Sequence, residues 1–313
     1  MKKVDMRIAA LVRFASAITV LNIAGHFYLG FEQSFAHAVV ALITGYSVEL
    51  FIETVKSIIN KRKPAFMGGV KEFIYFLLPA HITALAVSML IFPNVALMPV
   101  VFGVAAGLLS KTILKIEING RSRHFLNPSN TGIALVFLLF PWVGSAPPYQ
   151  FTESVAGIGD WLLVIIFISL GSFLNTKFTK KMPLILAWLA GFFLQAVIRT
   201  SIFDTATIAA IGPMTGVAFL LFTFYMVSDP STTPMKMKNQ IGFGLSVAFV
   251  YGILMELHIV FGLFFALAIV CSTRGLYFWI SSLQFGAKRA LQPQLQKVMV
   301  SEVEESKFKK TTV

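Results

Sequence analysis

The chain has 313 residues, of which 57% are hydrophobic and 13% charged, and its mean hydropathy is +0.79. A soluble domain carries roughly a quarter charged residues on its surface, so this balance excludes one. No polar stretch is long enough for a nucleotide-binding fold or a hydrolase core. The formal net charge of +12 is spread over short segments flanking apolar runs, which suits an anionic lipid leaflet and not nucleic acid.

In chain order the apolar runs are 7–31, 34–59, 72–92, 95–114, 130–143, 158–173, 182–198, 211–227, 240–254 and 258–281. Most approach the roughly 20 residues that cross about 30 Å of hydrocarbon. The short runs at 130 and 240 are accepted because charge sorts around them. Breaks after odd runs hold Glu32, Pro93, Glu153, Asp204 and Glu256. Breaks after even runs hold the lysines and arginines, for example Lys61, Arg62, Arg121, Arg123, Lys180, Lys181 and Lys236. Among the 26 Lys and Arg residues only Arg199 falls on the other side. Basic loops stay cytoplasmic. The pattern predicts an all-α polytopic protein of about ten transmembrane helices, with both termini cytoplasmic, in the inner (cytoplasmic) membrane. Residues 1–283 form one transmembrane domain, with halves at about 1–150 and 151–283, and 284–313 form a polar cytoplasmic tail. The first run is too long for a signal-peptide core.

The single cysteine, Cys271, allows no intrachain disulfide and no cysteine cluster for iron–sulfur or zinc. No metal site and no soluble-type catalytic motif is expected. Ionisable groups inside spans need a reason. His26 and His37 read as interfacial packing. Glu49 and Glu53 share a helix face, with a Glu53–Lys56 pair as the plain reading and a proton or cation site at Glu49 as the sharper one. His81 follows Pro79 in mid-span. Proline removes a backbone donor, so the helix is expected to break at 78–80, placing His81 and Thr83 near the midplane.

The segment from His81 to Ala86 in the third run resembles that from Pro213 to Ala218 in the eighth. These are the third runs of two sets of five, and five is odd, so the halves would cross in opposite senses as an inverted repeat. Thr215 would then sit at a helix N-terminus. Two polar motifs face the cytoplasm. Asn127-Pro128-Ser129-Asn130-Thr131 opens the fifth helix, and Asp229-Pro230-Ser231-Thr232 follows the eighth. Both suit helix capping and turns; as a pair they would bring amides, hydroxyls and a carboxylate to one mouth.

The helix from Phe125 through Asn127-Pro128 and Gly132 to Phe140-Pro141 resembles the FNP-x-x-x-G … FP helix of the RnfD/NqrB family. Its members belong to the Rnf complex and to the sodium-translocating NADH:quinone oxidoreductase. Tyr225 to Ser231, with Asp229-Pro230, looks like that family's F-x-x-TDP-x-[ST] segment, and Thr83-Ala84-Leu85 looks like its third helix. The resemblance covers about residues 40–276. Its wording is similar to a divergent branch found with enediyne biosynthesis. The resemblance implies two inverted five-helix halves, as in urea transporters, and membrane electron transfer with flavin in company with partner proteins. The family's covalent FMN threonine has a small-residue setting that is missing around Thr152 in the loop 144–157.

The expected ligand is therefore a noncovalent flavin, riboflavin or FMN, or a quinone, in a redox component of a membrane complex. His81, Thr83, Asn127, Ser129, Asn130, Thr131, Thr215, Asp229, Ser231 and Thr232 are the candidate cofactor-binding residues, and no residue is assigned a catalytic role. The expected partners are the bilayer and other membrane electron-transfer subunits. The alternatives are a transporter or channel for a small solute on the same fold, and a non-catalytic assembly component.

Overall fold

The structure is a computed structural model that describes residues 6–118, 121–147, 154–155 and 157–282. Thr152 and the polar tail from 284 lie outside the described residues. Eleven α-helices follow in order: α1 (Met6–Ala24), α2 (Phe35–Ile59), α3 (Val70–Leu90), α4 (Met98–Ile113), α5 (Pro128–Leu139), α6 (Ile158–Leu174), α7 (Met182–Ile202), α8 (Thr207–Ile211), α9 (Val217–Leu221), α10 (Met237–Glu256) and α11 (Gly262–Ser282). Among the described residues six helices are long and apolar enough to cross a membrane, and α8 with α9 makes a seventh if that bent pair is one span. The chain is therefore a helical, multi-pass membrane protein in contact with lipid. Two of the ten anticipated crossings are shorter than a full span, since α4 has 16 residues and α5 has 12.

Two strand pairs brace the helix ends. Strand β1 (Ile91–Phe92), at the end of α3, pairs antiparallel with β4 (Gly144–Ser145), beyond α5. Strands β2 (Lys115–Ile118) and β3 (Arg121–His124) form a hairpin between α4 and α5. The polar segment expected as a loop is thus partly paired, which satisfies backbone groups next to the bilayer.

The break expected in the third run lies elsewhere. Helix α3 continues through Pro79. The segment around Pro213 does break: α8 gives way to a 3-10 turn (Gly212–Thr215), and the helix that resumes at Val217 is turned by 58°. Pro213 there follows Gly212, and the chain leaves the helix at Gly216, which is extended at φ −84° and ψ 140°.

A common termination ends α1 and α6. Each widens into a five-residue π turn, Gly25–Leu29 and Asn175–Thr179 respectively. Each then stops on a left-handed residue, Gly30 at φ 87° and Lys180 at φ 54°. In each, the next residue's amide also returns to the first carbonyl of the turn, Phe31 to Gly25 and Lys181 to Asn175. For Lys180 this backbone is a costly one for a side-chain-bearing residue.

Helix α4 crosses α5 at near backbone contact. A methyl group on Gly132 would lie 2.1 Å from the Gly103 carbonyl oxygen, and one on Gly107 would lie 2.4 Å from that of Pro128. The crossing seats Val100, Val104, Ile133 and Val136 in a core that continues into Trp188, Phe192, Phe222 and Tyr251 of the second half. Gly242 on α10, by contrast, faces open space. Gly132→Ala should therefore cost about 1–3 kcal/mol through overpacking, while Gly242→Ala should gain about 0.5–1 kcal/mol from helix propensity. Thermal unfolding of the two variants in detergent should shift in opposite directions.

Candidate functional site

Asn127 caps α5. Its Oδ1 accepts from the Asn130 amide at 3.1 Å and from the Ser129 hydroxyl at 2.8 Å. Its carbonyl accepts from the Thr131 hydroxyl at 2.7 Å. Its Nδ2 reaches across the chain to donate to the Met226 carbonyl at 3.4 Å. Asn130 Nδ2 donates to the Phe264 carbonyl at 3.0 Å. The first polar motif is therefore tied to Met226, at the end of the π turn (Phe222–Met226) that follows α9, and to α11.

The second motif is tied down just as closely. Asp229 Oδ1 accepts from the Ser231 amide and Oδ2 from the Thr232 hydroxyl. Arg274 on α11 donates to the Thr232 carbonyl. Lys181, fully buried at the start of α7, donates to the Pro234 carbonyl at 2.7 Å and to that of Thr233 at 3.4 Å. Gln240 Nε2 on α10 donates to the Lys180 and Met235 carbonyls. Three helices thus fix the loop after α9 beside the α5 cap. The two expected motifs do meet, and most of their polar atoms are spent on capping and turns. Asn130 Oδ1 remains buried without a partner.

Beside this junction lies an apolar, partly open cavity of about 480 Å³, lined by α1, α3, α5, α6 and the segment from Leu221 to Met226. Phe14, Met89, Phe167 and Tyr225 line it, and Ser129 and Met226 bring it to the α5 cap. Among the described residues the wall contains no charged one. Of the candidate residues only Ser129 reaches it. Helix α3 presents Ile82, Ala86, Met89 and Leu90, a single face at helical spacing, which turns its neighbours His81 and Thr83 aside. Thr83 donates to the Pro79 carbonyl at 3.0 Å. Asn127, Asn130, Thr131, Asp229, Ser231 and Thr232 are outside the lining. Thr215 closes the 3-10 turn two residues before α9, and its side chain lies outside the described residues.

His81 is held between α1 and α2. Its Nε2 is 2.7 Å from the Thr19 hydroxyl, and its Nδ1 is 2.6 Å from the Tyr46 hydroxyl. Thr19 gives its only hydroxyl proton to the Ala15 carbonyl at 2.7 Å, so it can only accept from His81. Nε2 therefore carries a proton, and in the neutral ring Tyr46 donates to Nδ1.

The carboxylates of α2 pair differently from the expectation. Glu53 takes both Arg62 nitrogens and the Ala65 amide, with no pair to Lys56. Lys56 instead donates to the Thr112 hydroxyl. Glu49, the candidate ion site, is bonded to Lys111 at 2.7 Å, which leaves it as half of a pair joining α2 to α4.

Two residues escaped the sequence reading. Lys181 resembles any basic residue flanking a span, and its burial is a tertiary fact. Arg274 lies inside an apolar run, which was the available signal. Comparison of the chain with known protein families and with curated proteins finds no match.

Burial lowers the Lys181 ammonium from 10.5 to about 8, with Asp229 opposing the shift. Between those two values the unfolded chain binds the extra proton, so folding stability gains from this group as pH rises through the interval. Stability measured by thermal unfolding should therefore rise from pH 8 to pH 10 more in the wild type than in Lys181→Met. At pH 7 the variant should lose about 1–3 kcal/mol through the orphaned Pro234 and Thr233 carbonyls.

Proposed function

We propose that the chain is a membrane component of an electron-transfer system akin to the RnfD/NqrB family, with a redox ring held noncovalently in the apolar cavity. In this reading the helices make ten crossings of the cytoplasmic membrane in two inverted halves, α1–α5 and α6–α11, with both termini inside. The matching π-turn terminations of α1 and α6, placed 150 residues apart at Gly25 and Asn175, support the repeat. Charge sorting supports the orientation.

One observation carries the functional reading. The two motifs that resemble the family come together at the wall of a partly open cavity of about 480 Å³, within the usual range for a small-molecule site. FMN does not fit that wall, because its phosphate would be buried against no cation. A quinone, or the uncharged ring of riboflavin, fits: Phe14, Phe167, Met89 and Tyr225 would flank the ring, and the Ser129 hydroxyl would meet a ring oxygen or nitrogen. Such a group supplies the electron chemistry, and the chain supplies exclusion of water, a low dielectric and orientation. A small polar solute would find three hydroxyls, those of Ser16, Ser129 and Tyr225, among otherwise apolar side chains, which counts against the transporter alternative.

Protein purified in mild detergent should yield about one quinone or flavin per chain on extraction. Ala86→Trp, which fills the cavity from α3, should lower that occupancy about tenfold. A colourless protein that yields neither group and takes up neither on titration overturns the reading.

A further inference from the structure

A second recess lies on the outside of the bundle, between α10 and α11. It encloses about 790 Å³ and is open along its length. Its long walls are apolar, with Leu245 and Phe249 on one side and Ile269 and Tyr277 on the other, and Phe249 and Tyr277 are 68% and 67% exposed. On a span these faces meet lipid tails. Arg274 and Asn239 line the same recess. Arg274 spends one Nη1 bond on the Thr232 carbonyl and lies 5.1 Å from the Phe278 ring. None of the ion pairs among the described residues includes it. Guanidinium offers five N–H donors, so most are uncommitted. Among the described residues no Asp or Glu lines the recess. The Asp229 carboxylate is engaged by its own turn. Lys236 and Lys238 begin α10 on this basic side of the bundle.

We propose that this recess holds one anionic glycerophospholipid, its acyl chain along Leu245, Phe249 and Ile269 and its phosphodiester on Arg274 and Asn239. The charge balance selects the headgroup. An anionic lipid such as phosphatidylglycerol satisfies the arginine, whereas phosphatidylcholine brings a second cation for which the wall has no carboxylate. Cations between transmembrane helices at the cytoplasmic interface recruit anionic headgroups in this way. The site is distinct from the cavity of α1, α3 and α6 and does not depend on what that cavity holds.

Native mass spectrometry of the full chain, offered phosphatidylglycerol or phosphatidylcholine of identical acyl chains, tests this. The wild type should retain one phosphatidylglycerol about fivefold more than phosphatidylcholine, about the effect of one interfacial charge. Arg274→Gln should abolish the preference, and Lys71→Gln, an exposed lysine elsewhere, should leave it. Because Arg274→Gln also removes the bond to Thr232, Leu245→Trp is the second variant: it blocks the acyl groove without touching that bond and should lower retention of both lipids. Equal retention of the two lipids, a preference unchanged in Arg274→Gln or lost equally in Lys71→Gln, or retention unaffected by Leu245→Trp overturns the proposal. A dimer whose interface covers the groove does so as well.

Discussion

Hydrocarbon offers no water to a broken helix, and that shortage organises this structure. Wherever a helix starts, ends or bends inside the bundle, its backbone groups must be met by protein. The interruption around Pro213 and the turn from Ser228 to Pro234 free many such groups. Asn127, Lys181, Gln240 and Arg274 meet four sets of carbonyls around that turn. Polar side chains that resemble a binding site are therefore first of all the means by which the turn after the broken span is held to the bundle.

The cavity follows from the same geometry. The 58° bend brings Leu221, Tyr225 and Met226 onto the cavity wall beside Ser129. Fixing the loop after the bend also fixes the wall. The long-range bond from Asn127 to Met226 couples the α5 cap to it, so the capping function and the shape of the chamber depend on the same atoms. This is an economical way to build a site, since groups already required for folding serve as its support.

The sequence was most legible where one residue type decides the outcome alone. Charge sorting located the polar breaks, so α2 and α7 start within a residue of the apolar runs at 34 and 182. Asn127-Pro128 was readable as a cap because side-chain and backbone chemistry coincide in four residues. What depends on the neighbours was not readable. Proline alone suggested a break at Pro79, but the helix persists, and the break occurs where Pro213 follows Gly212. Glu53 was read against Lys56 on its own helix, whereas Arg62 returns after the helix has ended and brings a bidentate pair with it. Burial of Lys181 depends on a loop more than 50 residues later.

His81 illustrates how satisfied hydrogen bonds limit chemistry. A proton relay needs each member to pass its proton to a neighbour that can release one in turn. The chain from Tyr46 through His81 to Thr19 ends on the Ala15 carbonyl, which accepts and cannot release. Moving a proton through it would require Thr19 to abandon that carbonyl and turn its hydroxyl elsewhere. With both ring nitrogens engaged and the cavity presented to Ile82 and Ala86 instead, the imidazole joins α1, α2 and α3 near Pro79. It stands where α3 has lost a backbone donor, so these side-chain bonds tie the proline-bearing turn to its two neighbours and help the helix run on without a break.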